Sequence, residues 1–217
     1  TFITMNYDGL KDDIMTMLSD GMVYVNTDTF QNDFVSISSK DEALTALIHL
    51  GYLGYNIDEK NAFVPNFEVK KAYQAALCTS GWSKVADSIS RCDELLQATI
   101  NGDSEKVAEL IEKAHDAYTS ILKYNDENSL SCVLSMAYFT APAYYNVVRE
   151  MPAGKGFADF VFIPRLNAGE RPAMIIELKY NQSAYSAIRQ IKEKRYHGVL
   201  KEYSGKVLLV GINYNMD

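Results

Sequence analysis

Residues 154–164 read GKGFADFVFIP and residues 173–180 read AMIIELKY, and the way charge sits in these two apolar runs decides the fold of the chain. Each run has the length and the β-branched or aromatic content of a buried strand. Each is interrupted by a carboxylate: Asp159 in the first, Glu177 in the second, with Lys179 two residues further on. Burying an ionised carboxylate costs roughly several kcal/mol unless it is paired or holds a metal. Residues two apart on a strand share a face, so Glu177 and Lys179 point the same way. With Asp159 opposite on a neighbouring strand, two carboxylates and an ammonium converge. Two hard oxygen ligands suit Mg²⁺ or Mn²⁺, and a lysine beside them can orient a water or neutralise a phosphate. The bland alternatives are a surface ion pair on an edge strand for Glu177–Lys179 and a strand-end cap for Asp159. Met174-Ile175-Ile176 ahead of Glu177 argues instead for a central strand.

Working outward, YYNVVREM (144–151) alternates as a strand, AGKG (153–156) is a turn, and RLNAGERP (165–172) is a loop. Ser183 opens a helix, AYSAIRQIKEKRYHGVL (184–200), and KVLLVGINY (206–214) is a last apolar strand. Before these comes a helix, ENSLSCVLSMAYFTA (127–141), closed by Pro142. Three strands paired as a meander, then joined through a helix to a fourth, predict a mixed sheet in an α/β layer.

The first half reads differently. Residues 8–20 place Leu10, Ile14, Met17 and Leu18 at helical spacing, while MVYVNT (22–27) and DFVSI (33–37) read as short extended segments. Ser39 and Glu42 form a capping box before ALTALIHL, which Gly51 stops. Residues 52–66 form a hairpin turning at Asp58–Asn61, and Asn66 caps FEVKKAYQAAL. Residues 82–100 are one helix ending at Asn101-Gly102. Asp103 or Ser104 caps the next, through 105–124, with Val107, Leu110, Ile111, Ala114, Tyr118 and Ile121 on its apolar stripe. The expectation is a small α+β module of winged-helix flavour over 1–80 and a second domain over 81–217.

Composition narrows the classes. Of 217 residues, 47% are hydrophobic and 23% charged, which suits a chain with a real core and excludes global disorder. No apolar run is long enough for a membrane span, and the N-terminal stretch lacks the basic-then-apolar pattern of a signal peptide. Three cysteines (Cys78, Cys92, Cys132) without a CxxC pair read as free thiols of a reducing cytoplasm. His49, His115 and His197 are far apart, so a His/Cys zinc site is not expected, and no G-x-S-x-G supports a serine hydrolase. The net charge of −7 hides an asymmetry: residues 149–206 carry eleven Lys/Arg against six Asp/Glu, +5, leaving −12 for the rest.

The motif GKGFADFVFIP, then AMIIELKY, then a helix with Gln190 in AIRQI resembles the PD-(D/E)XK nuclease superfamily. It is most similar to the C-terminal nuclease domain of bacterial AAA-ATPase-like proteins. The upstream GYLGY…FVPNFEVK looks like their linker module. The resemblance implies a restriction-endonuclease-like core, α-β-β-β-α-β, with a central mixed sheet flanked by helices. It implies metal-dependent phosphodiester hydrolysis, with DNA the favoured substrate and Mg²⁺ or Mn²⁺ the cofactor. Asp159 and Glu177 would bind the metal and Lys179 would assist the attacking water. Glu127 would hold a metal-bound water or second ion, and Gln190 would position phosphate or lysine. Lys155, Arg189, Lys192, Lys194 and Arg195 would meet backbone phosphates, with Tyr180 and Tyr196 stacking or packing nearby. An N-terminal ATPase-like domain of the full-length protein is the implied partner. No G-x-x-x-x-G-K-[ST] occurs here, so ATP hydrolysis is not expected of this chain. The alternative is a catalytically silent nuclease fold that binds nucleic acid or protein. The sequence departs from the motif name in carrying Ala158 before Asp159.

Overall fold

In the computed structural model, described for residues 3, 5, 7–30, 34, 36–79, 83–119, 127–153, 156–166, 168–194, 200 and 203–215, the chain divides into two compact units. One comprises Thr1–Ser90 with Asp116–Lys123, the other Arg91–His115 with Tyr124–Asp217.

The first unit contains helix α1 (Leu10–Leu18), strand β1 (Val23–Tyr24), helix α2 (Lys40–His49), strands β2 (Gly54–Asn56) and β3 (Asn61–Phe63), and helices α3 (Phe67–Thr79) and α4 (Ser83–Ser90). Its small antiparallel sheet has the order β1-β3-β2. The cap signals act locally, as their chemistry requires. The Ser39 hydroxyl accepts from the Glu42 N–H at 3.2 Å and Asn66 Oδ1 from the Val69 N–H at 2.9 Å. The Glu42 carboxylate in turn takes the N–H of Ser38 at 2.7 Å and its hydroxyl at 3.0 Å, with the Ser39 N–H a weaker donor, and these bonds hold its carboxyl below the usual range. DFVSI forms no strand among the described residues. The single helix expected over 82–100 is interrupted at Arg91 (φ −97°, ψ 0°), which becomes the N-cap of a second helix, giving α4 and α5 (Cys92–Asn101).

The second unit holds α5, most of α6 (Ser104–Thr119), then α7 (Glu127–Ala137), β4 (Tyr145–Ala153), β5 (Gly156–Pro164), β6 (Ala173–Tyr180), α8 (Ala184–Glu193) and β7 (Val207–Tyr214). From α7 onward this is the expected α-β-β-β-α-β order, a mixed α/β fold compatible with a restriction-endonuclease-like core. The sheet runs β4-β5-β6-β7, antiparallel except for the parallel β6–β7 pair that the α8 crossover permits. Helix α7 stops at Ala137, short of the expected Ala141, and Pro142 sits in a 3₁₀ turn, Ala141–Ala143. Helix α8 stops at Glu193 with Lys194 as C-cap, and residues 195–199 of its expected extension lie outside the described residues.

Two faces of the sheet are covered by different side chains. Val161, Ala173 and Ile175 pack with Ile191 and Ile188 of α8 and with Leu200. The alternate residues of the strands meet aromatic groups: Phe162 makes edge contacts with Tyr138 at 5.3 Å and Tyr145 at 5.8 Å. Cys92, buried on α5, donates its thiol to the Met136 carbonyl at 3.3 Å, and burial pushes that thiol up to about 12. Cys92 and Cys132 are free thiols. Among the described residues no helix is long and apolar enough to cross a membrane.

Candidate functional site

Strand β6 is central, and every residue from Ala173 to Leu178 is buried. That removes the edge-strand reading of Glu177 and Lys179 and leaves a carboxylate in the core. The side chain of Glu177 is 2% exposed and that of Lys179 12%. Alternation along the strand carries both to one face, and Lys179 Nζ donates to Glu177 Oε1 at 3.1 Å. Gln190 Nε2, from α8, donates to the same oxygen. The other oxygen, Oε2, is buried with no hydrogen-bond partner among the described residues.

Asp159 reaches this place through an opening in the sheet. Its neighbours pair normally with β4 (Arg149↔Phe160, Met151↔Ala158), but Asp159 and Glu150 are skipped, and Glu150 has φ +48°. A left-handed residue turns the β4 backbone out of the ladder at this step. On the other side, pairing of β5 with β6 begins at Phe160↔Ile176, and one further step of that register sets Asp159 across from Glu177. Instead of a main-chain bond, Asp159 Oδ2 accepts the Leu178 N–H at 2.7 Å. A side-chain carboxylate therefore takes the place of a ladder acceptor, and the two acids end on neighbouring positions.

The electrostatics follow from that arrangement. Burial first, and the nearby Asp159 charge second, raise the Glu177 carboxyl, Lys179 and Lys194 pull in the opposite direction, and the net is a carboxyl raised to about 7. A carboxyl half-protonated near neutrality, with an orphaned oxygen and a second carboxylate beside it, is short of positive charge. The donor set fits a hard divalent cation better than another lysine, because two carboxylates and adjoining water satisfy its preference for oxygen.

Helix α8 brings Gln190 here, and a glycine makes this approach feasible. Gly211 of β7 is the register partner of Glu177. A Cβ at Gly211 would lie 2.4 Å from the Ala184 carbonyl and 3.0 Å from Ile188. Without it the first turn of α8 lies directly on β7, and Ala187 and Ile191 are fully buried. Ser183 caps the helix with Ser186 in a reciprocal capping box. Gly211 was not singled out in the sequence. A glycine inside an apolar strand, KVLLVGINY, was the available signal of close backbone approach.

The remaining expected residues sort as follows. Glu127 begins α7, but its side chain lies outside the described residues, as do Lys155, Arg195 and Tyr196. Arg189 is exposed and lies 3.7 Å from Glu193, and Lys192 is exposed. Lys194 differs from both: it is half-buried and its charge acts on Glu177. Tyr180 packs on Tyr214, with ring centroids 6.1 Å apart and planes 20° apart. Arg149, counted in the sequence only as charge, hydrogen-bonds Ser131 of α7 at 2.8 Å and ties that helix to β4. Among the described residues no cluster of three or more His, Cys, Asp or Glu could hold a metal ion, and Asp159 with Glu177 makes a pair of carboxylates, not a triad.

Residues 125–217 match the family model of the PD-(D/E)XK nuclease superfamily. That superfamily hydrolyses phosphodiester bonds and typically uses divalent metals. No curated protein matches the chain, and no solved structure matches it.

Proposed function

We propose that residues 125–217 are a metal-dependent nuclease domain that hydrolyses phosphodiester bonds of DNA. The observation that carries this reading is Glu177: a carboxylate sealed in a central strand, next to Asp159, with one oxygen held by Lys179 and Gln190 and the other without a hydrogen-bond partner among the described residues. Most buried side-chain polar atoms find a partner, and Glu177 Oε2 has none among the described residues.

Asp159 and Glu177 would hold Mg²⁺ or Mn²⁺, which lowers the pKa of a bound water and neutralises phosphate charge. The Leu178 N–H fixes one oxygen of Asp159 and so sets the direction of its carboxylate. Gln190 orients Glu177 from the side. Lys179 stands at the edge of the pair, where its ammonium stabilises the negative charge that develops on a phosphate oxygen as water attacks phosphorus and the ester P–O bond breaks. Glu127, at the start of α7, would contribute a further oxygen to a metal-bound water. Lys155, Arg189, Lys192, Lys194 and Arg195 would contact backbone phosphates along the basic stretch.

The domain reading extends this. Residues 81–217 act as the nuclease domain with its preceding helices, and 1–80 as a linker module joining it to an ATPase-like domain of a bacterial cytoplasmic protein. Residues 1–80 carry five Lys against eleven Asp/Glu, a net −6, which supports docking of a protein rather than nucleic acid by that module.

Calorimetric titration with Mn²⁺ tests the site before any substrate is chosen: the parent binds and Glu177→Gln does not. With plasmid DNA and Mg²⁺, cleavage disappears in Asp159→Ala while the thermal unfolding profile is retained. Equal manganese binding by parent and Glu177→Gln would remove the metal site. Unchanged cutting by Asp159→Ala would remove the nuclease assignment.

A further inference from the structure

The sheet of the second unit has two edges, and they are built differently. At one edge, β4 carries Arg149, Glu150 and Pro152, and Glu150 takes φ +48°. Charge, proline and a twist of the backbone keep an edge strand from pairing with another chain. At the other edge, β7 reads VLLVGINY, eight residues with no charge and no proline. The carbonyls of Lys206 and Tyr214 accept the N–H groups of Ala173 and Asn181, at either end of β6, at 2.9 and 2.8 Å. In a parallel ladder the intervening residues turn their main chain the other way, so Val207, Leu209, Gly211 and Asn213 aim N–H and C=O outward. Among the described residues none of these outward groups has a hydrogen-bond partner.

Beside this edge lies a cavity of about 750 Å³, lined by residues 208–215 and by helices of the same unit. Helix α8 bounds it with Ala184 and Ile188, and α6 with Val107, Ile111 and His115. Both helices close on β7: a Cβ at Gly211 would meet the Ala184 carbonyl, and the His115 ring lies 4.1 Å from that of Tyr214. With a rise of about 3.3 Å, a strand spacing of about 4.8 Å and a layer about 10 Å thick, one strand residue fills roughly 160 Å³, so the cavity holds about five. A second copy pairing through its own β7 would bring its α6 and α8 into the same space, whereas a lone strand fits. Among the described residues the wall holds one carboxylate, Glu112, and no lysine or arginine, which disfavours phosphate and nucleic acid.

We propose that this slot takes one extended segment of a partner protein, about five uncharged residues with β-branched or other apolar side chains, added to β7 as a further strand. The outward main-chain groups of β7 hold it, and because helices cover both faces the added strand is apolar on both sides. This recognition uses no residue of the proposed metal site.

Fluorescence anisotropy of the full chain with a fluorescein-labelled peptide of alternating threonine and valine tests it. The peptide is expected to bind saturably. Its N-methylated form keeps the side chains, loses the N–H donors and is expected to bind at least about 10-fold more weakly. Leu209→Pro deletes an outward N–H that β6 does not use and weakens the peptide about 10-fold, while Leu209→Ala stays within about threefold of the parent. Amide exchange reads the edge directly and needs no variant: on peptide binding the Leu209, Gly211 and Asn213 amides slow about 10-fold or more. Absence of binding, equal binding of both peptides, or protection that bypasses these amides overturns the proposal. Dimerisation of the parent that Leu209→Pro abolishes would make a second copy the occupant and overturn it as well.

Discussion

The two units of the chain each bury a lysine–carboxylate pair, and they do it in opposite ways. In the first, Lys70 is the buried partner, its side chain 6% exposed, and Asp20 is 59% exposed at 2.9 Å. Asp20 closes α1 with φ +65°, so a turn residue delivers the acid to the rim, where water still solvates it. In the second, Glu177 is buried at 2% and so is most of Lys179, with Asp159 adding a second negative charge. One pair is relieved by solvent, and the other keeps an oxygen without a hydrogen-bond partner among the described residues. A buried charge is therefore not in itself a mark of function. What separates the pairs is like charge next to like charge and an atom left unsatisfied.

The strongest way to break this contrast is to make the same substitution at both lysines. Lys179→Met is expected to reduce Mg²⁺-dependent DNA cleavage by about 10³-fold or more, because charge stabilisation at the reacting phosphate is lost. Lys70→Met keeps its stem packed, leaves Asp20 in water, and cuts at the parental rate. Equal losses in a nuclease assay would abolish the distinction.

Next comes stability against pH. The Glu177 carboxyl is raised to about 7 from 4.5 in the unfolded chain, so folding takes up a proton between these values. For a raised acid the favourable contribution is complete below the unfolded value and disappears as pH rises through the folded one. The metal-free protein should lose about 1–3 kcal/mol from this group between about pH 5 and pH 8, and Glu177→Gln should flatten that slope. Manganese affinity runs the other way, rising with pH and levelling off above about 7, because the cation needs the ionised carboxylates. Denaturant melts across the range, with and without manganese, check both signs.

Gly211→Ala should cost about 1–3 kcal/mol, since the new methyl meets the Ala184 carbonyl and α8 must shift. The shift also moves Gln190 from Glu177, so cleavage falls with stability. The smallest effect belongs to the solvated pair: Asp20→Asn leaves the Lys70 ammonium short of charge near water, which costs about 1–2 kcal/mol after allowance for exposure. It should leave manganese binding unaltered, and urea unfolding measures it.

Much of the second unit was legible because its signals are local. The order of α7, β4, β5, β6, α8 and β7 follows from hydrophobic period and turn residues, and Ser183 and Asn66 cap where their side chains reach. Illegible elements had weak local signals. Residues 82–100 keep apolar spacing through Arg91, so nothing in the period announces the break into α4 and α5. DFVSI has strand-like composition without the partner that would make it a strand. For the site, Asp159, Glu177 and Lys179 stood out as charges in apolar runs, whereas Lys194 read like its neighbours Lys192 and Arg189 on an amphipathic helix.

Sequence by itself determined that Glu177 and Lys179 share a face and that both acids lie in buried strands, because the two-residue period of a strand and the cost of burying charge are properties of short segments. Only the tertiary structure decided that Asp159 stands across from Glu177, that Gln190 comes to that carboxylate, and that one of its oxygens finds no hydrogen-bond partner among the described residues. Those facts depend on the register between strands and on how closely α8 can lie against Gly211. Register and approach are fixed by packing between residues far apart in the chain, and no window of sequence contains both partners.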